Sequence, residues 1–427
     1  MSSASTAVLQ PFDIVIVGGA MAGASLALGL AKLNQGRTQT LSIALIEAHQ
    51  ADDSHPGFDA RSIAIAHGSI FELERLGIWP KLSHLGTAIA DIHISDRGHF
   101  GMTELNAKPL GLPALGQVVE LAQVGKVLFE QLQQANISLF CPAKLSQLTT
   151  DTDGHYLTLD DGSRLSAKLL VAADGANSVV RQQLNQGADS IDFNQSAIVA
   201  NIQTDQPHQN CAYERFTETG PLALLPMGNV KGMQAKNSAR LSLVWAVSPA
   251  QAQQLAHTDE ADFLQQLQHV FGNRVGRFTQ VGKRVTYPLT LTTMARPIFH
   301  RCVFIGNAAQ TLHPIAGQGF NLGLRDVVGL IKVIESELNR QPTTDKNLDA
   351  ETKTDAAIDV GTSAILHQYL ASRQSDRDST LRNIEFLVRG FSNQHWPLVA
   401  GRSIGLRLLS WLPPLKRPVA QIAMGWR

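Results

Sequence analysis

The chain has 427 residues, 44% of them hydrophobic and 17% charged, so it can build large apolar cores and falls outside the disordered and low-complexity classes. Its 36 basic residues balance 36 acidic ones, which removes the net positive field a nucleic-acid binder needs, and its length suggests about two or three domains. Three well-separated cysteines, Cys141, Cys211 and Cys302, fit neither a disulfide framework nor a metal site and point to a reducing, cytosolic compartment.

The first residues, Met1 to Gln10, are small and polar and lack the basic start and apolar core of a signal peptide. FDIVIV (12–17) is a β-branched run that predicts a buried parallel strand. GGAMAG (18–23) follows as a Gly-rich turn, ASLALGLAKL (24–33) reads as a helix, and LSIALIEA (41–48) reads as a second strand ending in Glu47. Strand, turn, helix and strand make a βαβ unit. A pyrophosphate needs bare backbone N–H groups at a helix N-terminus; the tight turn at Gly18-Gly19 and the close packing at Gly23 allow this. Ala20 stands where the middle glycine of such a fingerprint is usual, and Glu47 is placed to bind a ribose hydroxyl. The pattern predicts a bound dinucleotide without separating NAD from FAD.

Two further strand-and-turn segments follow, KLLVAADGANS (168–178) and CVFIGNAA (302–309), the latter leading through HPIAGQGFNLGLRD (313–326) into a helix. Gly-rich turns of this kind hold anions or a flavin edge by their N–H groups. Between them, AIVANIQT (197–204), YERFTETGPLALLPM (213–227) and RLSLVWAVS (240–248) have strand character with Gly/Pro/Asn punctuation, so a β-rich unit is inserted into the nucleotide-binding one. Residues 341–355 read as a polar loop or linker, and helices follow from about residue 362. The charge-free stretches 14–31 and 302–324 contain too many glycines and polar residues to be read as membrane spans. No Ser/His/Asp set or metal-ligand cluster stands out.

Taken together, the three turns resemble the flavin-dependent aromatic hydroxylases, the para-hydroxybenzoate hydroxylase family, and HPGFDARSIAIAHGS (55–69), SDRGHFG (95–101), LGQVVEL (115–121), GNAAQTLHPIAGQGFNLGLRDV (306–327) and RQSDR (373–377) are similar to its ubiquinone-biosynthesis branch. The resemblance implies an α/β fold: a Rossmann-like FAD-binding domain from 1–75, 110–185 and 285–340, a mostly antiparallel substrate domain from 76–109 and 186–284, a linker at 341–361 and a helical region at 362–427. It implies that Gly18, Gly19, Ala20 and Gly23 take the pyrophosphate of FAD, Glu47 the adenosine ribose, and that Arg61 lies near the flavin. Asp174 and Gly175 carry the DG motif, and Gly306-Asn307 replaces the usual Gly-Asp. His313, Pro314, Gly317, Gln318, Gly319 and Asn321 are expected along the flavin ring; no catalytic acid or base is assigned, and His313 reads as a structural histidine or as a proton carrier.

The family chemistry uses NAD(P)H as a transient reductant, O2 as co-substrate and a flavin C4a-hydroperoxide. The substrate implied is a polyprenylated phenol, 2-octaprenyl-6-methoxyphenol, hydroxylated para to its hydroxyl. The alternatives are another ring position, a flavin epoxidase, or a flavin-binding scaffold among other ubiquinone-biosynthesis proteins. The location implied is the bacterial cytoplasm, with peripheral attachment to the inner face of the membrane left open. Beyond Glu385 the chain has no acid but carries Arg389, Arg402, Arg407, Lys416, Arg417 and Arg427, interleaved with Leu406, Leu408, Leu409, Trp411, Leu412 and Leu415. This segment fits either a membrane-surface helix or a helix docked on the protein's own core.

Overall fold

The β-branched run that opens the βαβ unit lies at the centre of a parallel sheet and extends over Leu9–Val17, three residues longer at its start than its apolar pattern. The extension has a cause: Leu9 to Phe12 pair in register with Arg164 to Ala167 of a nine-residue neighbour. The computed structural model describes residues 8–50, 55–56, 59, 61–229, 238–314, 317–340 and 358–391, with isolated positions between 401 and 411. Strand order in this layer is 298–299, 302–304, 164–172, 9–17, 43–46, 138–140, parallel except at the 298–299 edge, and a meander of 145–150 and 155–159 extends from 164–172. Alternate residues feed two cores. Ile14 and Ile16 pack against the helices Met21–Leu33, Leu121–Gln134 and Gln318–Asn339, whereas Val15 and Val17 pack against Leu157, Leu165 and Phe304. Burial on both faces is why this strand reads as an unbroken apolar run.

The inserted segment forms, among the described residues, a sheet of nine strands ordered 310–311, 285–293, 189–204, 239–247, 221–227, 211–216, 91–96, 102–106, with 278–281 beside 189–204. It is antiparallel apart from the pairing of 91–96 with 211–216. Ile198, Leu222, Leu243 and Trp245 face the helices Pro249–His257 and Glu260–Phe271. The opposite face carries smaller residues, Ala197, Ala246 and Leu289 with Val199 and Val244. A short sheet of 62–66, 116–120 and 87–89 joins the layers, secured by the ion pair of Arg240 with Glu120 at 3.2 Å.

Two segments sit differently from their sequence grouping. Residues 285–293, grouped with the nucleotide-binding stretch, pair along 189–204 of the antiparallel sheet. Ile78, Trp79 and Leu82, grouped with the substrate unit, pack into the core of the parallel layer. The helix Ser363–Phe391 opens the region expected to be helical and docks on both layers: Ile365, Leu366 and Tyr369 join the first core, and Ile384 and Val388 pack with Phe216. The linker reading at 341–361 falls outside the described residues up to 357; from the C-terminal basic segment, Arg402, Leu406, Leu409, Leu412, Leu415, Lys416, Arg417 and Arg427, and the side chain of Arg389, also lie outside them. No helix of the described residues is long and apolar enough to cross a membrane.

Candidate active site

The central strand ends at Val17, and the chain turns on Gly18 at φ +102°, where a Cβ would lie 2.5 Å from the Ala173 carbonyl oxygen. A Cβ on Gly23 would lie 1.8 Å from the carbonyl oxygen of Gly18, so only glycine fits there. Ala20 is the N-cap of the following helix in ordinary extended backbone (φ −69°, ψ −170°) with no side-chain cap, so alanine adds no strain and the first helical N–H groups remain available to an anion. Glu47, 6% exposed, lies just past the second strand and accepts the Gly19 N–H at 2.5 Å and the His49 N–H at 2.9 Å, with His55 Nε2 at 3.4 Å. Burial pushes its carboxyl up, but His55 and those two N–H groups outweigh burial and hold it below its ordinary value.

The DG segment abuts this turn, since Ala173 donates its N–H to the Val17 carbonyl at 2.8 Å. Asp174 Oδ2 accepts the Val180 N–H at 3.1 Å, while its buried Oδ1 has no partner among the described residues. Burial raises its pKa against the hydrogen bonds that favour the ion. Gly175 turns at φ +85°. Arg181, which the sequence reading passed over, staples this loop to the late one by donating to the carbonyls of Ala176 (2.6 Å) and Ala308 (2.8 Å). No local pattern marks it; only the fold brings the two loops within its reach.

The late motif closes the site. Gly306 (φ +55°) has its Cβ position 3.3 Å from Ala22 of the fingerprint helix, and the Asn307 side chain is exposed. Gly317 (φ +60°) caps the helix Gln318–Asn339, and its N–H bonds the Pro314 carbonyl at 3.1 Å. Asn321 is buried; it accepts the Ala66 N–H at 2.9 Å and donates to Ala64 (3.1 Å) and Gly317 (2.8 Å), riveting this helix to strand 62–66. Among the described residues, a Cβ on Gly175 or Gly319 would meet no heavy atom within 4 Å. His313 is fully buried, 3.3 Å from Gln195 Oε1 of the antiparallel sheet and edge-on to Phe193. Burial lowers its pKa to about 4, so it is neutral at pH 7. Gln195 and Phe193 were not singled out in the sequence because their meeting with His313 is a contact between two layers.

The fold thus brings Gly18, Gly19, Ala20, Gly23 and Glu47 together with Asp174, Gly175, Gly306 and Asn307, and sets Gly317 and Asn321 against strand 62–66. Arg61, just before strand 62–66, lies where the layers meet, bonded to Asp59 at 2.7 Å with its guanidinium 5.1 Å from the Tyr287 ring centroid; Tyr287 itself donates to Asp59 at 3.2 Å. An orphaned buried carboxylate oxygen, glycines opening on free space, and uncapped helical N–H groups fit a dinucleotide whose middle carries negative charge and whose sugars offer hydroxyls.

Such a site on a parallel sheet with an inserted antiparallel sheet defines a flavoprotein of the aromatic-monooxygenase class. The FAD-binding-domain family matches residues 11–356. The chain is 32% identical over 421 residues to ubiquinone hydroxylase UbiL of Rhodospirillum rubrum, covering 97% of this chain and 89% of that one. It is 31% identical over 417 residues to the 3-demethoxyubiquinol 3-hydroxylase of Escherichia coli, covering 97% and 99%. Among solved structures, p-nitrophenol 4-monooxygenase PnpA of Pseudomonas putida shares the fold, with a TM-score of 0.71 at 15% identity, covering 98% of this chain and 100% of that one. The chain belongs to the FAD-dependent aromatic hydroxylase family, in its ubiquinone-biosynthesis branch. It is an FAD-dependent monooxygenase, a hydroxylase of ubiquinone biosynthesis, and NAD(P)H and O2 are the reductant and co-substrate typical of that family.

Proposed function

We propose that the chain hydroxylates 2-octaprenyl-6-methoxyphenol para to its hydroxyl, through a flavin C4a-hydroperoxide. One ring C–H becomes C–OH, the second oxygen of O2 leaves as water, and NAD(P)H supplies the two electrons. FAD supplies the acceptor for hydride and the activation of oxygen; the chain supplies position and dryness. The observation that supports this reading is the meeting of the late flavin loop with the small-residue face of the antiparallel sheet. There His313, neutral and buried, pairs with Gln195 beside Phe193, giving a mostly apolar wall with one polar pair to orient a phenol. Glu47 would hold the adenosine ribose, Gly18 to Gly23 the pyrophosphate, Asp174 and Gly175 the place between flavin and nicotinamide, and Pro314, Gly317 and Gly319 the ring.

A second reading, hydroxylation at another ring position, is favoured by the likeness to the Escherichia coli 3-demethoxyubiquinol 3-hydroxylase. Mass spectrometry of quinone intermediates in a strain deleted for this gene separates the two. Accumulation of the unhydroxylated 6-methoxyphenol supports the first reading; accumulation of a later, already para-hydroxylated intermediate supports the second.

We also propose that the protein works at a membrane surface in the bacterial cytoplasm, alone or beside other ubiquinone-biosynthesis proteins. Phe100 (58% exposed) and Trp411 (69% exposed), with Ile404 and Leu408, leave large apolar side chains in solvent, and Arg407 ties the two segments by donating to the Phe100 carbonyl at 2.7 Å. Basic residues near anionic headgroups contribute about 1 kcal/mol each, less at high salt. Removal of residues from Ser403 onward is expected to leave FAD bound while lowering salt-sensitive co-sedimentation with anionic liposomes. Salt-insensitive or absent co-sedimentation of the intact protein overturns the membrane reading.

A further inference from the structure

Beneath the late loop lies a buried ionic network outside the candidate nucleotide site. Asp326 (2% exposed) on the helix Gln318–Asn339 uses Oδ2 to accept the Gly306 N–H at 3.2 Å and the Gln310 side-chain N–H at 2.6 Å. Its Oδ1 accepts from Arg373 Nε at 3.1 Å. Arg373 (7% exposed) comes from the helix Ser363–Phe391, and its other branch is paired with Asp376. Arg377 of the same helix donates to Gln310 Oε1 at 2.8 Å and to the carbonyls of Met294 and Ala309. Arg325 closes the set through Asp376 at 2.9 Å and Thr380 at 3.2 Å. Room for the Arg373 stem is made by Gly329, where a Cβ would lie 2.6 Å from Arg373 Cδ.

Buried charges are expensive to desolvate, and removing one partner leaves the other uncompensated. Here the network reaches the late turn at the Gly306 amide through Asp326 and at the Ala309 carbonyl through Arg377. The turn makes its own bonds, from the Ala308 N–H to the Ile305 carbonyl at 3.3 Å and from the Ala309 N–H to the Gly306 carbonyl at 3.0 Å, but the N–H of Gly306, at φ +55°, is bonded instead by a side chain. Asp326 holds that amide, and Arg373 holds Asp326. We propose that Arg373 and Asp326 are positioning residues for FAD: neither touches the cofactor, but together they set the Gly306-Asn307 turn and couple docking of the C-terminal helix to flavin retention. The inference rests on the FAD site and is independent of which phenol is oxidised.

The test uses apoprotein of the full chain reconstituted with FAD, well below its melting temperature. Arg373→Gln and Asp326→Asn are each expected to raise the FAD dissociation constant by about tenfold or more and to shrink the FAD-induced rise in melting temperature. The double variant is expected to be little worse than the poorer single one, because both break one chain of contacts. Leu366→Ala, which opens a cavity in the same helix without touching the network, serves as the destabilised control and is expected to keep FAD affinity within about threefold. A purely structural role predicts lower melting temperatures with unchanged affinity in every variant. If Arg373→Gln does not fold, Arg373→Lys and Asp326→Asn decide. Wild-type FAD affinity in both, or an equal loss in Leu366→Ala, overturns the proposal.

Discussion

The fingerprint turn at Gly18–Gly23 and the late turn at Gly306-Asn307 lie side by side at the candidate nucleotide site, but they are held in different ways. The first is locked by backbone against backbone: the Gly18 N–H meets the Ile46 carbonyl at 2.8 Å, and its glycines leave no room for a Cβ. The second has backbone bonds of its own, such as that of the Ala309 N–H to the Gly306 carbonyl at 3.0 Å, but it adds a buried side-chain scaffold, Asp326 and Gln310 at its rim and Arg373 and Arg377 from a helix far along the chain. A turn locked by its own backbone tolerates almost no substitution within itself. A turn held by remote charges tolerates change at its exposed tip and fails when its distant supports go.

The largest effect expected from this contrast is at Gly23. Gly23→Ala places a methyl 1.8 Å from a backbone oxygen that cannot move cheaply, and a loss of about 3 kcal/mol is expected together with loss of FAD. A variant that melts like wild type and purifies yellow would break the comparison at its strong side.

Acid tests the parallel layer and the late loop at once. Burial depresses His155 in the parallel layer and His313 in the late loop to about 4, while the unfolded chain titrates near 6.5. The unfolded state therefore binds the proton first. Stability is full above about pH 6.5 and falls as pH drops from there toward 4, by up to about 1.4 kcal/mol per pH unit for each histidine. Thermal melts of His155→Gln and His313→Gln against pH are expected each to flatten part of the slope, and an unchanged slope in either variant removes that histidine from the account.

Glu47→Ala removes charge-assisted hydrogen bonds from the fingerprint side and is expected to weaken FAD binding by about 1.5–3 kcal/mol. Because its carboxyl is held below the ordinary value near 4.5, its contribution is present above that pH and is lost as pH falls through the lowered value. Equal FAD affinity in the variant would assign Glu47 to the turn alone, through its bond to the Gly19 N–H.

Asp174→Ala gives a smaller change in stability and a clear one in function. The variant loses the acceptor for the Val180 N–H but also relieves a buried carboxylate with an orphaned oxygen, and the two offset to within about 1 kcal/mol. Flavin retention and reduction by NAD(P)H are both expected to fall; wild-type values for both would make the carboxylate structural. The smallest effect falls at the exposed tip of the late turn, where Asn307→Asp is expected to shift stability by less than about 0.5 kcal/mol. A large loss there would show that the late turn is as rigid as the first.

Much of this division was legible before any coordinates. The strand at 12–17, the glycines at 18 and 23, the acid at 47 and the two later turns were readable because each reports a local need: a pleated surface buried on both faces, a backbone at positive φ, a place without a Cβ. The string RQSDR at 373–377 was visible too, as part of the family resemblance, but nothing in it tells what its charges face. Only packing puts Arg373 and Arg377 under the flavin loop, Arg181 between two loops, and Gln195 against His313. The same holds for the titrating groups, since burial and charge neighbours exist only in the assembled chain. The sequence by itself determined the nucleotide-binding turns, because the steric demands of a backbone are carried by single residues. The tertiary structure alone decided which charges are buried, which are paired and what they hold, because desolvation and distance belong to no residue taken alone.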